Sequence, residues 1–379
     1  MTKEYSYEIL HEVNVEKWNN QLKKNEFAMF FQTAEYVSSK GYSTPLFVYI
    51  YDKSDNVVGQ LALIVVKEYH SYSTPLLNSY IKTVSRLGHR CSWVAGPIIH
   101  SKIEEERMLI LRVFLQALNR ILKEYNVIIL DGYSLPQDNL TTTYVEELKK
   151  NNFTVEDFVT FRIDLSTSIE DIWKNVEKSA RNDVTKAERE NIRICEVKTL
   201  EELKTYNYLA KIWARTKGIE IGEDPVRIED DWYHHKTGIE KFFLAYQDGE
   251  PISGLRVGTF NGIAYTNQVL NSYTKAASVG GPALTWQAIK WAKENGLRIY
   301  DFSGIRALPE NDSQIDRHME QLKGLANYKR KWAGKEYRYY HFLNVVHPLR
   351  YKLFRLLSKP DWLYRDYKRR HFKKPKVEN

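Results

Sequence analysis

The sequence predicts an α/β fold of mixed central sheets flanked by helices, built from two similar halves. Three observations carry this. The stretches "LFVYIYDKSDNVVGQLALIVV" (Leu46 to Val66) and "FFLAYQDGEPISGLRVGTF" (Phe242 to Phe260) share one plan, an apolar strand, a polar turn, and a second strand begun near Gly59 or Gly254. Later in each half a helix leads into a buried strand ending in Asp and Gly, as "MLILRVFLQALNRILKEYNVIILDGYS" and "PALTWQAIKWAKENGLRIYDFSG". A length of 379 residues suits two domains at about 100–200 residues each. The expected division is 1–160, 161–340, and a tail at 341–379 free to pack back on the first domain. Duplication points to a cleft between the copies as the site, and to a monomer.

The elements follow in order. Leu111, Phe114, Leu115, Leu118, Ile121 and Leu122 recur at helical spacing. Between the halves, Ser168 caps a helix with Asp171 three residues on. Arg181, Lys186 and Arg189 then form a basic face. "LEELKTYNYLAKIWARTKGI" reads as a helix, and "EDPVRIEDDWY" as a loop leading to another. In the second half, Pro282 suits a first helical turn and Gly296 the residue just past the end. "SVGGPAL" places Gly280 and Gly281 before that helix. Free backbone N–H groups there would favour a phosphate or carboxylate, although a plain helix start is the simpler reading. Near the end, "LANYKRKWAGKEYRYY" (Leu325 to Tyr340) sets Lys329, Arg330 and Lys331 among Tyr328, Trp332, Tyr337 and Tyr339. That suggests a buried strand-like surface with charge held beside it.

Composition narrows the function. Hydrophobic residues make up 43% of the chain, enough for real cores, and the 26 tyrosines suit strands or half-wet clefts. Only Cys91 and Cys195 occur, without metal-type spacing, which fits a reducing cytoplasm. The start "MTKEYSYEIL" has no apolar signal core, and the longest apolar run, "LALIVV", is far short of the ~20 residues of a membrane span. No HExxH, Walker or GxSxG signature occurs, and the ten histidines are scattered, so no metal and no cofactor is expected. Asp131 and Asp301 end strands in each half. As carboxylates they could orient an amine, but capping a loop is the favoured reading.

Charge is uneven. Of 56 basic and 48 acidic residues, 11 and 2 fall between His347 and Lys376, leaving 45 against 46 elsewhere. The basic excess therefore sits in the tail, mixed with Leu, Phe, Trp and Tyr. That composition suits an interfacial anchor on an anionic leaflet or an RNA-phosphate patch, with a solvated helix as the bland alternative.

Five motifs, in order, carry a resemblance: "FFQTAEY" (Phe30 to Tyr36), "VAGPII", "SARNDVTKAEREN", "IYDFSGI" and "LANYKRKWAG". Through them the chain, from about Phe30 to Tyr340, resembles the FemABX peptidoglycan-bridge aminoacyltransferases, in their short FemX-like form. They look like that family's FxQTxEW motif, its GP turn, its basic helix, its YDxxG strand and its FKxxFG element. The resemblance implies two tandem GNAT-like acyltransferase domains. It implies amide formation, with aminoacyl-tRNA as donor and an amine of a UDP-linked or lipid-linked muropeptide, or a similar cell-envelope acceptor. It implies a cytoplasmic protein, peripheral at the inner face of the membrane if the tail binds there.

Residue by residue, Lys329 matches the family lysine that stabilises developing negative charge or binds the donor's phosphate end, and Tyr328 stands where the family has Phe. Lys40 and Tyr42 match the place that holds the acceptor's phosphates and sugar. Arg227 sits in the loop of a second phosphate-binding arginine, Tyr265 matches a cleft tyrosine, and Asp301 lies in the YDxxG strand. After the GP turn, where the family often has an acid, this chain carries Ile98, Ile99 and His100. His100 is then the candidate base, or the amine deprotonates unaided. The alternative is an acyl-CoA-dependent GNAT N-acyltransferase acting on an amino sugar or lipid amine. A third reading is a non-catalytic membrane- or RNA-binding protein.

Overall fold

The structure is a computed structural model that describes residues 5–39, 43–66, 79–80, 83–84, 86–136, 142–216, 225–272, 274, 276–308 and 317–357. The chain forms two compact units. The described residues of the first fall within 5–158 and 338–357, and those of the second within 159–337.

The first unit is a mixed sheet with helices. β1 (Ser6–Leu10), β2 (Ser43–Tyr51), β3 (Val57–Val66) and β4 (His89–Trp93) pair antiparallel in that order. β5 (Ile98–Ile99) pairs with the start of β3. β6 (Val127–Tyr133) lies parallel to β4, and part of β14 (Lys335–Asn344) pairs antiparallel with β6. Helix α1 (Val15–Leu22) and the short α2 (Ala34–Ser38) precede β2. The parallel step from β4 to β6 needs a crossover, which α3 (Glu104–Glu124) supplies. Its buried stripe includes Leu111, Phe114, Leu115, Leu118, Ile121 and Leu122, as the spacing predicts. It lies so close to β3 that a Cβ on Gly59 would meet the Phe114 ring at 2.8 Å. α4 (Thr142–Lys150) follows β6.

"FFQTAEY" has a structural explanation in this unit. Gln32 is fully buried. Its amide donates to Ala62 O at 3.0 Å and Val94 O at 2.7 Å, and it accepts from Ala62 N at 2.8 Å. It thus ties β3 to the turn at Gly96–Pro97. Thr33 caps α2, and Trp18 donates to Gln32 O at 2.7 Å.

The second unit repeats the plan. β7 (Thr154–Asp164) crosses from the first unit into the second. There follow α5 (Ile169–Asn175), α6 (Lys178–Arg189), β8 (Arg193–Glu196), α7 (Leu200–Thr216), α8 (Pro225–Thr237), β9 (Glu240–Gln247), β10 (Glu250–Phe260), β11 (Ile263–Asn271), α9 (Ala277–Glu294) and β12 (Ile299–Asp301). The sheet runs β8, β9, β10, β11, β12, β7, with only β11 and β12 parallel among these neighbours. β13 (Ile305–Arg306) pairs with β7. α10 (Arg317–Arg330) leads to β14, and α11 (Pro348–Leu357) ends the described chain. The first unit thus closes on a strand from late in the sequence, β14, whereas the second closes on the part of β7 that opens its own continuous stretch.

Ser168 caps α5 as expected, accepting from Asp171 N at 3.0 Å. Gly296 follows α9 at φ 71°. Two expectations are corrected. Gly280 and Gly281 do not precede α9 but lie buried inside it, with Pro282. A Cβ on Gly280 would meet Ile252 and Ser253 at 3.0 Å, so the glycine lets the helix lie against β10. Nor are Tyr328 and Lys329 on a strand-like surface. They end α10, and the strand begins only at Lys335.

Candidate active site

The site is built where β12, β7 and α10 meet within the second unit. β12 and β7 place Asp301 directly opposite Arg162. Asp301 is fully buried. It accepts from Arg162 Nε at 2.6 Å, from Thr160 Oγ1 at 2.5 Å, and from Ser303 N at 2.8 Å. The last bond holds Ser303 at φ 63°, an uncommon conformation for a residue with a side chain. That turn aims the Ser303 carbonyl at Lys329. Lys329 Nζ donates to Ser303 O at 2.7 Å and Ser303 Oγ at 3.3 Å, with Gly304 O at 3.5 Å.

Lys329 is only 6% exposed, whereas Arg330 is exposed and Lys331 half-buried. The run of three cations thus divides into one buried lysine and two more exposed neighbours. Burial brings the Lys329 ammonium down to about 8, with the Asp301 charge pulling the other way. Aromatic rings flank this lysine in the chain. Trp332 is fully buried, stacks on Phe302 at 6.3 Å, and meets Tyr328 edge-on at 6.2 Å. Tyr337 lies under the Arg162 guanidinium at 5.8 Å. Gly334 is needed here, since a Cβ on it would meet Phe161 Cβ at 3.0 Å and the Arg162 backbone at 3.2 Å.

Other expected residues distribute as follows. Tyr265 is the partner of Asp301 in the parallel register of β11 and β12, and is half-buried. The Tyr328 hydroxyl is 3.1 Å from Thr285 Oγ1 and is pushed up by burial. Arg227 stands on helix α8, not in a loop, 4.0 Å from Asp231. Lys40 and Tyr42 lie outside the described residues. His100 belongs to the first unit. It lines a cavity of about 610 Å³ with Lys24, Lys102, Glu104, Arg107 and Tyr144. Burial and then the Lys24 charge bring its ring down to about 4, so it is uncharged at neutral pH.

The sequence reading missed two sets of side chains. Thr160, Arg162 and Ser303 surround Lys329 and Asp301. Their signal needed the pairing of β7 with β12, which no local pattern states. The second set is a buried charge network behind Arg227. Arg256 donates bidentately to Glu240, with Nε at 2.6 Å, and its Nη1 is 2.9 Å from Asp231. Glu240 also takes His234 Nδ1 at 2.9 Å and Asn267 at 2.8 Å. Burial would raise the Glu240 carboxyl, but Arg256 and His234 outweigh it and hold it well below its usual range. The β9–β10 hairpin was legible. Arg256 pairs opposite Phe242, so Glu240 is its diagonal neighbour on the same face.

The duplicated aspartates behave alike. In the first unit Asp131 is buried at the end of β6 and holds Arg90 Nε at 3.0 Å. Burial pushes its carboxyl up, but His341, with Nε2 at 3.9 Å, and Arg90 prevail and keep it low. Both aspartates are therefore anchors for an arginine.

Against known proteins, the architecture is decisive. It matches the crystal structure of FemX with a TM-score of 0.64 at 14% identity, covering 91% of this chain and 99% of that one. The fold is a tandem GNAT-like fold. L-PGS from Bacillus licheniformis matches at TM-score 0.54 and 14% identity, over 92% of this chain and 99% of that one. A tandem GNAT protein from the clavulanic acid biosynthesis pathway matches at 0.50 and 10%, over 89% and 98%. No protein-family model matches the chain, and no curated protein matches it by sequence. Among the described residues, no helix is long and apolar enough to cross a membrane.

Proposed function

We propose that the protein is an aminoacyltransferase that joins an aminoacyl group from aminoacyl-tRNA to an amine of a peptidoglycan precursor or a similar cell-envelope acceptor. One observation carries the reading. A lysine at the position of the family's FK element is buried and fixed by backbone carbonyls. The likeness to FemX along most of the chain adds support at the level of fold.

In this reaction the amine nitrogen attacks the ester carbonyl of the donor. A C–N bond forms, the C–O bond to the tRNA ribose breaks, and the amine proton leaves to water or to the departing oxygen. Negative charge grows on the carbonyl oxygen. Lys329 is suited to meet it, because a cation fixed in a dry site needs no reorganisation when the charge appears. The long 3.5 Å contact to Gly304 O is the one an oxyanion would displace. Asp301 acts through Ser303, holding the turn that orients the lysine. Arg227, Lys40, Tyr42 and Tyr265 are assigned to the acceptor. His100, with a ring held near 4, is a weak proton acceptor, so the amine must enter largely deprotonated.

The test is a transfer assay offering labelled aminoacyl-tRNA or labelled acetyl-CoA to cell-envelope precursors. Wild type is expected to move label from tRNA, and Lys329→Met to lose roughly a hundredfold or more in rate. Label moving only from acetyl-CoA would replace the donor with an acyl thioester and keep the fold. An unchanged rate in Lys329→Met would remove the lysine from the mechanism.

A further inference from the structure

The C-terminal helix α11 carries a surface that transfer chemistry does not use. Its sequence is "PLRYKLFRLL", and none of its residues is buried. Leu349 is 84% exposed, Leu353 44% and Leu356 54%. At about 100° per residue these three leucines fall within about 60° of one another. Lys352 and Arg355, both exposed, occupy the adjoining arc. Arg350 and the last carbonyl of the helix fasten it to its own unit. Arg350 Nη1 donates to Asn126 Oδ1 at 2.6 Å, its Nη2 donates to Leu87 O, and the Tyr80 hydroxyl donates to Leu357 O at 2.6 Å. The leucines are thus held outward.

We propose that α11 docks the protein on an anionic lipid surface, with Leu349, Leu353 and Leu356 in the headgroup boundary and Lys352 and Arg355 on the lipid phosphates. The charge argues for this occupant. The helix has three cations and no acid, and the next 22 residues add eight Lys or Arg against two Asp and one Glu. Lipid is favoured over RNA because phosphates would engage the cations and leave three leucines in water. An interfacial helix uses both faces together. The docking stands apart from the identity of the donor, since no residue of the candidate site takes part.

The experiment is sedimentation of the full chain with vesicles of phosphatidylcholine, with and without phosphatidylglycerol. Wild type is expected to pellet only with the anionic vesicles, and less at high salt. The variant Leu349→Ser/Leu353→Ser/Leu356→Ser is expected to bind roughly tenfold or more weakly. Each of Lys352→Glu and Arg355→Glu should cost about fivefold or more. Thermal melts check the fold, and Leu349→Ser alone serves if the triple variant fails to melt cooperatively. Wild type remaining in the supernatant overturns the proposal. So does a triple variant that pellets like wild type, or binding to tRNA instead of vesicles that the leucine changes do not alter.

Discussion

Lys329 shows how one side chain links folding to chemistry. Its amine sits at about 8 in the folded protein against 10.5 ordinarily, because burial disfavours the charged form. The unfolded chain then binds more protons between those values, so this group makes the protein more stable as pH rises from about 8 to 10.5. Activity runs the other way, since the charged form is the one that meets an oxyanion. The transfer rate should therefore fall above pH about 8. Lys329→Arg, if active, should lose that limb, because a guanidinium stays charged. A pH–rate profile of both proteins decides it, and a limb that survives in the arginine variant would assign it elsewhere. In the sequence, Lys329 stands apart from Arg330 and Lys331 only through the motif it resembles. Its partners are invisible there because Ser303 reaches it through a turn 26 residues earlier.

Among the elements, the pairing of β9 with β10 sets up a buried ion network. Glu240 and Arg256 are buried on adjacent strands of one hairpin, with His234 and Asp231 from α8 completing the network. Losing the Glu240 charge leaves the buried Arg256 with Asp231 in its place, which costs up to about 3–5 kcal/mol. Glu240→Gln should lower stability by roughly that much in urea at neutral pH. The wild-type carboxyl is depressed below the ordinary 4.5, so its contribution is present above that value and is lost as pH falls through the folded one. Glu240→Gln should thus flatten the acid side of the stability curve, and an unchanged acid limb would show that Glu240 is not its source. The hairpin itself is plain in the sequence, since an apolar run (Phe242 to Tyr246) and a second strand flank the Asp248–Gly249 turn. The diagonal that joins Glu240 to Arg256 needs the register as well, and a bulge between Pro251 and Ser253 shifts it by one residue. Gly280 and Gly281 misled for a related reason. Glycine marks a helix start or a close approach equally well, and only the packing of α9 on β10 distinguishes them.

At the scale of the molecule, the first unit takes in a strand from late in the sequence, β14. The repeat of hairpin, helix and buried strand is readable because each part carries local periodicity. Pairing of β14 with β6, from residues some two hundred positions apart, leaves no such trace. This late strand makes a firm prediction about fragments. Residues 1–160 alone lack Arg338–Asn344, so β6 loses its neighbour and becomes an unpaired edge. They also lose Phe342, which is buried in the core of that unit. Burying a phenylalanine is worth about 1.5–3 kcal/mol, a large share of the stability of a unit this size. The fragment should aggregate or melt without cooperativity. Phe158 and Tyr339 have ring centroids 5.7 Å apart, so a short Gly-Ser linker can join residue 158 to residue 338. A chain of residues 1–158 so joined to 338–357 restores the strand, and it should be soluble and melt in one transition. Calorimetry on the two polypeptides compares them directly. Equal, cooperative melts would mean that β14 is dispensable to the first unit. Failure of the joined chain alone would mean that this unit requires more than its own sheet.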